Sequence, residues 1–183
     1  NCKRIKTTMK QKTIKNPSSI KGIGLHTGEF VEMTINPAAI NHGIKFRRTD
    51  LEDNPVVDAD VNYVVETNRS TTLQKGAARV STVEHFLSAC VGCGIDNILI
   101  DLTGPEVPIL DGSARYFVEA LQQGEIVEQD ASKEIFEIEE TISYRDPDSG
   151  SELVALASDS YQITSMIDFD STVLNKQYAK LHD

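Results

Sequence analysis

Apolar residues recur in this chain with two different periods, and the change from one to the other organises it. Glu29-Phe30-Val31-Glu32-Met33-Thr34-Ile35 alternates polar and apolar side chains, the period of a strand with one buried face. Gly43-Ile44-Lys45-Phe46-Arg47-Arg48 is a second alternating run, and Val61-Asn62-Tyr63-Val64-Val65 and Ser70-Thr71-Thr72-Leu73 predict two further short strands. Residues 9 to about 75 therefore read as β-rich. From Thr82 to Cys93 the period lengthens: Val83, Phe86, Leu87, Cys90 and Val91 fall at three- and four-residue spacing, which predicts an amphipathic helix stopped by Gly92 and Gly94. Ile95 to Leu102 predicts a strand. A loop rich in turn residues follows, and Ser113 opens a second helix with Ala114, Phe117, Val118 and Leu121 on one face and Gly124 at its end.

The chain turns polar around Asp130 to Lys133, a candidate domain boundary. Beyond it Glu134-Ile135-Phe136-Glu137-Ile138, Leu153-Val154-Ala155-Leu156 and Tyr161 to Ile167 are strand-like, with no helix comparable to the earlier two. The pattern predicts an α+β fold: a two-layer sheet/helix sandwich over residues 9–130, then the start of a second, similar domain over 131–183 that lacks its helical layer. Residues 1–8 are basic, polar and aperiodic, and are set apart as a leader or tag ahead of Met9.

Composition narrows the choices. Charged residues make up 25% and hydrophobic residues 39% of 183, an ordinary globular mixture with enough apolar mass for a core. The net charge of −10 argues against a nucleic-acid-binding surface while leaving room for a small anionic ligand held by local cations. No apolar run approaches the roughly 20 residues of a membrane helix, and no secretory h-region is present, so the cytoplasm is the expected location. The three cysteines, Cys2, Cys90 and Cys93, do not form a disulfide framework. Cys90 and Cys93 have C-x-x-C spacing but fall at a helix C-terminus, where the helix dipole disfavours a thiolate; buried, inert thiols are expected.

The candidate chemistry lies at the start of the first helix. Ser81-Thr82-Val83-Glu84-His85 can be read as a capping box, with Ser81 and Glu84 satisfying the first N–H groups. It can also be read as a carboxylate base beside an imidazole that holds a divalent ion for hydrolysis. The two readings compete for the Glu84 side chain. Gly22 to Gly28 is a glycine-rich loop that fits neither the dinucleotide nor the Walker pattern, and it carries His26. His42 and His182 receive no role. With neither H-E-x-x-H nor its inverted form present, a metal at His85 would need ligands from distant segments or from outside the chain.

Three motifs in fixed order carry a resemblance. They are Ile23-Gly24-Leu25-His26-Thr27-Gly28, then Ser81-Thr82-Val83-Glu84-His85 leading to Gly94-Ile95-Asp96-Asn97, then Gly104-Pro105-Glu106-Val107-Pro108-Ile109-Leu110-Asp111-Gly112-Ser113-Ala114. Together they closely resemble the LpxC family of zinc-dependent UDP-3-O-acyl-N-acetylglucosamine deacetylases, which act in Gram-negative lipid A biosynthesis. The resemblance runs from about Lys10 to the end of the chain. It implies two similar α+β domains, with Glu84 as general base and His85 as a zinc ligand. It also implies substrate contacts from Leu25 and His26 on the glycine loop and from Asn68 and Ser70 near the metal. The segment between Leu73 and Ser81 is one residue shorter than in the family and lacks its usual sulfur-containing side chains, so that wall is expected to differ in shape.

The resemblance further implies that the other zinc ligands, the oxyanion threonine, the uridine-phosphate lysine and the general-acid histidine belong to a second-domain region with no counterpart before Asp183. The 183 residues alone are then expected to be inactive and to bind zinc weakly. The partner implied is a UDP-linked acylated amino sugar; some family members are also fused to a C-terminal dehydratase, a point on which this sequence is silent. The alternative reading is a non-catalytic scaffold or interaction domain that retains the fold.

Overall fold

A computed structural model describes residues 2–182, without the side chains of Cys2, Arg4 and Lys6. Thr8–Lys133 makes one unit, and the described residues up to Thr7 with those from Glu134 onward make the other. The chain begins with β1 (Cys2–Ile14), which runs through the stretch set apart as a leader or tag. Next come β2 (Ser18–Ile23), β3 (Phe30–Pro37), β4 (Ile44–Arg48) and β5 (Val56–Asp58). A 3-10 turn at Val61–Tyr63 leads to β6 (Val64–Glu66), β7 (Thr72–Lys75) and β8 (Ala78–Val80). Then follow α1 (Glu84–Cys93), β9 (Ile98–Leu102), α2 (Arg115–Gln123) and β10 (Ile126–Ile138), the last paired with β1.

The first unit is the α+β arrangement expected. Its five-stranded sheet has the order β2-β3-β9-β4-β5, antiparallel except where β4 lies parallel to β9. A second sheet, β6-β7-β8, is antiparallel throughout. Alternation decides the buried face: Val31, Met33 and Ile35 of β3 and Ile98, Ile100 and Leu102 of β9 are wholly enclosed. Burial of each such side chain contributes about 1.5–3 kcal/mol. Phe46 of β4, Phe86 of α1 and Phe117 of α2 form a chain of edge-to-face contacts, with ring centroids 6.2 and 5.6 Å apart, that joins the sheet to both helices.

Helix α1 stops as its sequence predicts. Gly94 adopts φ 68°, its N–H donates to Val91 O, and the N–H of Ile95 donates to Cys90 O, a Schellman closure. Strand β9 starts at Ile98 rather than Ile95, because Asp96 and Asn97 are engaged elsewhere. Their N–H groups donate to Lys12 O, and the Asp96 carboxylate accepts from Lys12 N–H. The strand expected at 61–65 is divided: the Asp60 carboxylate accepts from Asn62 N–H and winds Val61–Tyr63 into a turn before β6 begins. The polar stretch at 130–133 does not interrupt β10.

The second unit contains β11 (Ile142–Arg145) paired with β12 (Glu152–Ala155), and β13 (Gln162–Asp168) paired with β14 (Lys176–His182). Both pairs are antiparallel hairpins, and no helix occurs among the described residues after α2. None of its described residues from 134 to 182 is buried.

Candidate active site

The capping-box reading of Ser81 and Glu84 does not hold. Helix α1 has no side-chain cap; Val83, at the cap position, is itself in helical conformation. The Ser81 hydroxyl donates to Pro105 O at 3.2 Å, and the Glu84 carboxylate accepts from Thr71 N–H at 3.0 Å. Glu84 therefore does not reach back to the Ser81 backbone. It is half-buried in the first turn, where the helix dipole favours its charge, and one of its oxygens is anchored by the loop before β7. The same loop carries Asn68, which is exposed, and Ser70, which is half-buried. His85 is half-buried, while Leu25 and His26 are exposed on the glycine loop. Neither imidazole makes a hydrogen bond or ion pair with a described residue, so both are available to a ligand.

Glu106 brings the three motifs together, and the sequence reading gave it no role. It lies between prolines in the loop after β9, and its side chain is fully buried. Its backbone bridges to Ser81: Ser81 N–H donates to Pro105 O at 2.9 Å and Val107 N–H donates to Ser81 O at 3.1 Å. Its carboxylate accepts from His26 N–H at 3.1 Å, Thr27 N–H at 2.8 Å, the Thr27 hydroxyl at 2.9 Å and the Thr82 hydroxyl at 2.8 Å. Burial would raise the Glu106 carboxyl, but the bonds from Thr27, Thr82 and His26 outweigh it and hold the group below its ordinary value. A further link, Ile109 N–H to Ile23 O at 3.0 Å, ties the proline-rich loop to β2.

Two backbone features lie against this carboxylate. Thr82 has φ 58°, a left-handed conformation that costs a β-branched residue about 1–3 kcal/mol and persists only where its surroundings hold it. Gly24 sits so close that a Cβ there would meet the Thr27 hydroxyl and lie 2.5 Å from a Glu106 oxygen. The sequence signal for Glu106 was a carboxylate inside an otherwise apolar turn, which has to be buried with partners or exposed at a cost.

The described residues do not by themselves make a zinc site. His85 is one ligand-type side chain where a catalytic zinc needs about three, and no group of three or more His, Cys, Asp or Glu residues suited to a metal occurs among the described residues. Cys90 and Cys93 are free thiols at the far end of α1, and burial pushes both up from their ordinary value, as inert thiols require. His42 stands apart, its Nε2 buried without a partner. Among the described residues no helix is long and apolar enough to cross a membrane.

Residues 11–183 match the family model described as LpxC, UDP-3-O-acyl N-acetylglycosamine deacetylase. The chain belongs to the LpxC family. Among LpxC relatives, the UDP-3-O-acyl-N-acetylglucosamine deacetylase of Methylococcus capsulatus is 47% identical over 168 residues, covering 92% of this chain and 55% of the relative. The bifunctional enzyme LpxC/FabZ of Bacteroides thetaiotaomicron is 44% identical over 175 residues, covering 96% of this chain and 38% of the relative. That of Chlorobaculum tepidum is 43% identical over 173 residues, covering 94% and 37%. The chain thus spans 37–55% of the length of these LpxC proteins.

Proposed function

We propose that this chain supplies the general-base half of a zinc-dependent deacetylase that removes the N-acetyl group from UDP-3-O-(3-hydroxyacyl)-N-acetylglucosamine in lipid A biosynthesis. The observation that carries the proposal is the aim of Glu84: a carboxylate in the first turn of α1, anchored on one oxygen by Thr71 N–H and immediately followed by an unengaged imidazole. The names of the relatives support the substrate class. In this reading Glu84 takes the proton of the attacking water and holds it at its carboxylate. His85 is one zinc ligand, and the others come from outside the described residues. Leu25, His26, Asn68 and Ser70 face the sugar nucleotide. A dehydratase fused beyond the deacetylase, as in the LpxC/FabZ relatives, is compatible with this reading.

The test uses full-length enzyme. Glu84→Gln is expected to lower kcat by about 10²- to 10⁴-fold with zinc content retained, whereas His85→Ala loses zinc as well. Wild-type turnover in Glu84→Gln removes it as the base. The 183 residues alone are expected to be inactive and to bind zinc weakly, and calorimetry showing a tight one-to-one site would overturn that part.

A further inference from the structure

We propose that Glu106 is a positioning residue: through the Thr82 hydroxyl it locks the left-handed turn that aims Glu84, and through His26 and Thr27 it holds the glycine loop against the same turn. This rests on the reading of Glu84 as base. Four observations carry it. Glu106 is wholly buried, yet makes no ion pair among the described residues, and four N–H and O–H donors converge on its two oxygens. Thr82, itself buried, is held at φ 58° two residues before Glu84. Helix α1 has no side-chain cap, so the direction of its first turn is set by what precedes it, namely the Ser81 bridge to the Glu106 backbone and the Thr82 bond to its carboxylate. Finally, a side chain at position 24 would collide with this carboxylate, so the loop can close on Glu106 only with a glycine there.

Helix start and glycine loop therefore share one anion. Freed of its bond to Glu106, Thr82 can relax from the left-handed region, and the first turn of α1 moves with it. A displacement of about 1 Å at a catalytic group can cost 10²-fold in rate, so a small relaxation suffices to be seen in kcat. Release of His26 and Thr27 acts on a different step, because that loop is proposed to face the substrate.

The experiment measures kcat, KM and zinc content in full-length, zinc-loaded enzyme. Thr82→Val removes the hydroxyl but keeps the β-branched shape; kcat is expected to fall about 10- to 100-fold with KM and zinc content unchanged. Thr82→Ser restores the hydroxyl and is expected to retain wild-type kcat. Glu106→Gln is expected to lower kcat comparably and to raise KM, since the glycine loop is released too. Adding Thr82→Val to Glu106→Gln should lower kcat no further, because both act through one bond. Wild-type kcat in Thr82→Val, an equal loss in Thr82→Ser, or an additive double variant would each overturn the proposal. If Glu106→Gln does not fold, the Val/Ser pair at position 82 carries the test.

Glu84→Gln serves as the control. If it keeps wild-type turnover, the base reading fails on its own, and the clamp is then judged by amide exchange. Faster exchange over residues 81–85 in Thr82→Val, and over 24–28 as well in Glu106→Gln, supports it, and unchanged exchange over 81–85 in Thr82→Val sinks it.

Discussion

The two units are written in the same strand alphabet and end in different states. In Thr8–Lys133, alternation along β3 and β9 puts Val31, Met33, Ile35, Ile98, Ile100 and Leu102 on a face that α1 and α2 cover, and those side chains are sealed from solvent. In the second unit, Ile163, Met166 and Ile167 of β13 and Tyr178 and Leu181 of β14 are all exposed, at 44–74%. The difference teaches that a period of two identifies a strand but not whether anything lies against it. Covering a face takes a second layer, and here only the first unit has one among the described residues. The candidate site follows the same division: Glu84, Glu106 and the glycine loop all belong to the unit with a core, where a buried carboxylate can be held on several sides.

The largest expected contrast is in hydrogen exchange of the 183-residue chain. Amides of β3 and β9 should exchange only on global opening, and those of β13 and β14 by local opening, a gap of about 5 kcal/mol or more in protection. Equal protection would break the comparison. Next, Phe86→Ala should cost about 3–5 kcal/mol in denaturant unfolding, because Phe86 joins Phe46 to Phe117; Met166→Ala should stay within about 0.5 kcal/mol. A large loss at Met166 would mean that the hairpin is packed after all.

Glycines sharpen the contrast on a smaller scale. Gly24→Ala should cost about 1–3 kcal/mol through overpacking against Glu106 and Thr27. Gly150, in open space at φ 71°, needs only its backbone freedom. Asparagine, which tolerates the left-handed region, should substitute there with little loss of thermal stability, and should fail at position 24. The smallest effect is that of pH. Because the folded-state pKa of Glu106 is depressed, its contribution to stability is fully present above the ordinary value of 4.5 and is lost as pH falls through the folded value. The stability gap between wild type and Glu106→Gln should therefore narrow on acidification, and a gap that widens would contradict the bonding described.

Much of the fold was legible because its signals are local. The change of period at Thr82 marked α1, and Gly94 marked its end through the left-handed conformation that its closure requires. Where long-range bonds intervened, local signals misled. Asp96 and Asn97 belong to an apolar run, but bonds to Lys12, more than eighty residues away, hold them out of β9. The capping box failed for the same reason: Ser81 and Glu84 have the right spacing, but Pro105 and Thr71 offer partners that no spacing rule contains.

The sequence by itself determined the strand and helix periods, the helix stop, the acidic balance and the three ordered motifs that belong to the LpxC family. It also placed Glu84 and His85 side by side, since adjacency in the chain needs no folding. Tertiary structure alone decided that Glu106 is the buried centre on which the glycine loop and helix start meet, and that Thr82 is held left-handed. The physical reason is that a carboxylate withdrawn from water must find donors wherever the fold brings them. Here they come from segments about 80 and 24 residues away in sequence, which only a packed core can hold within hydrogen-bonding distance.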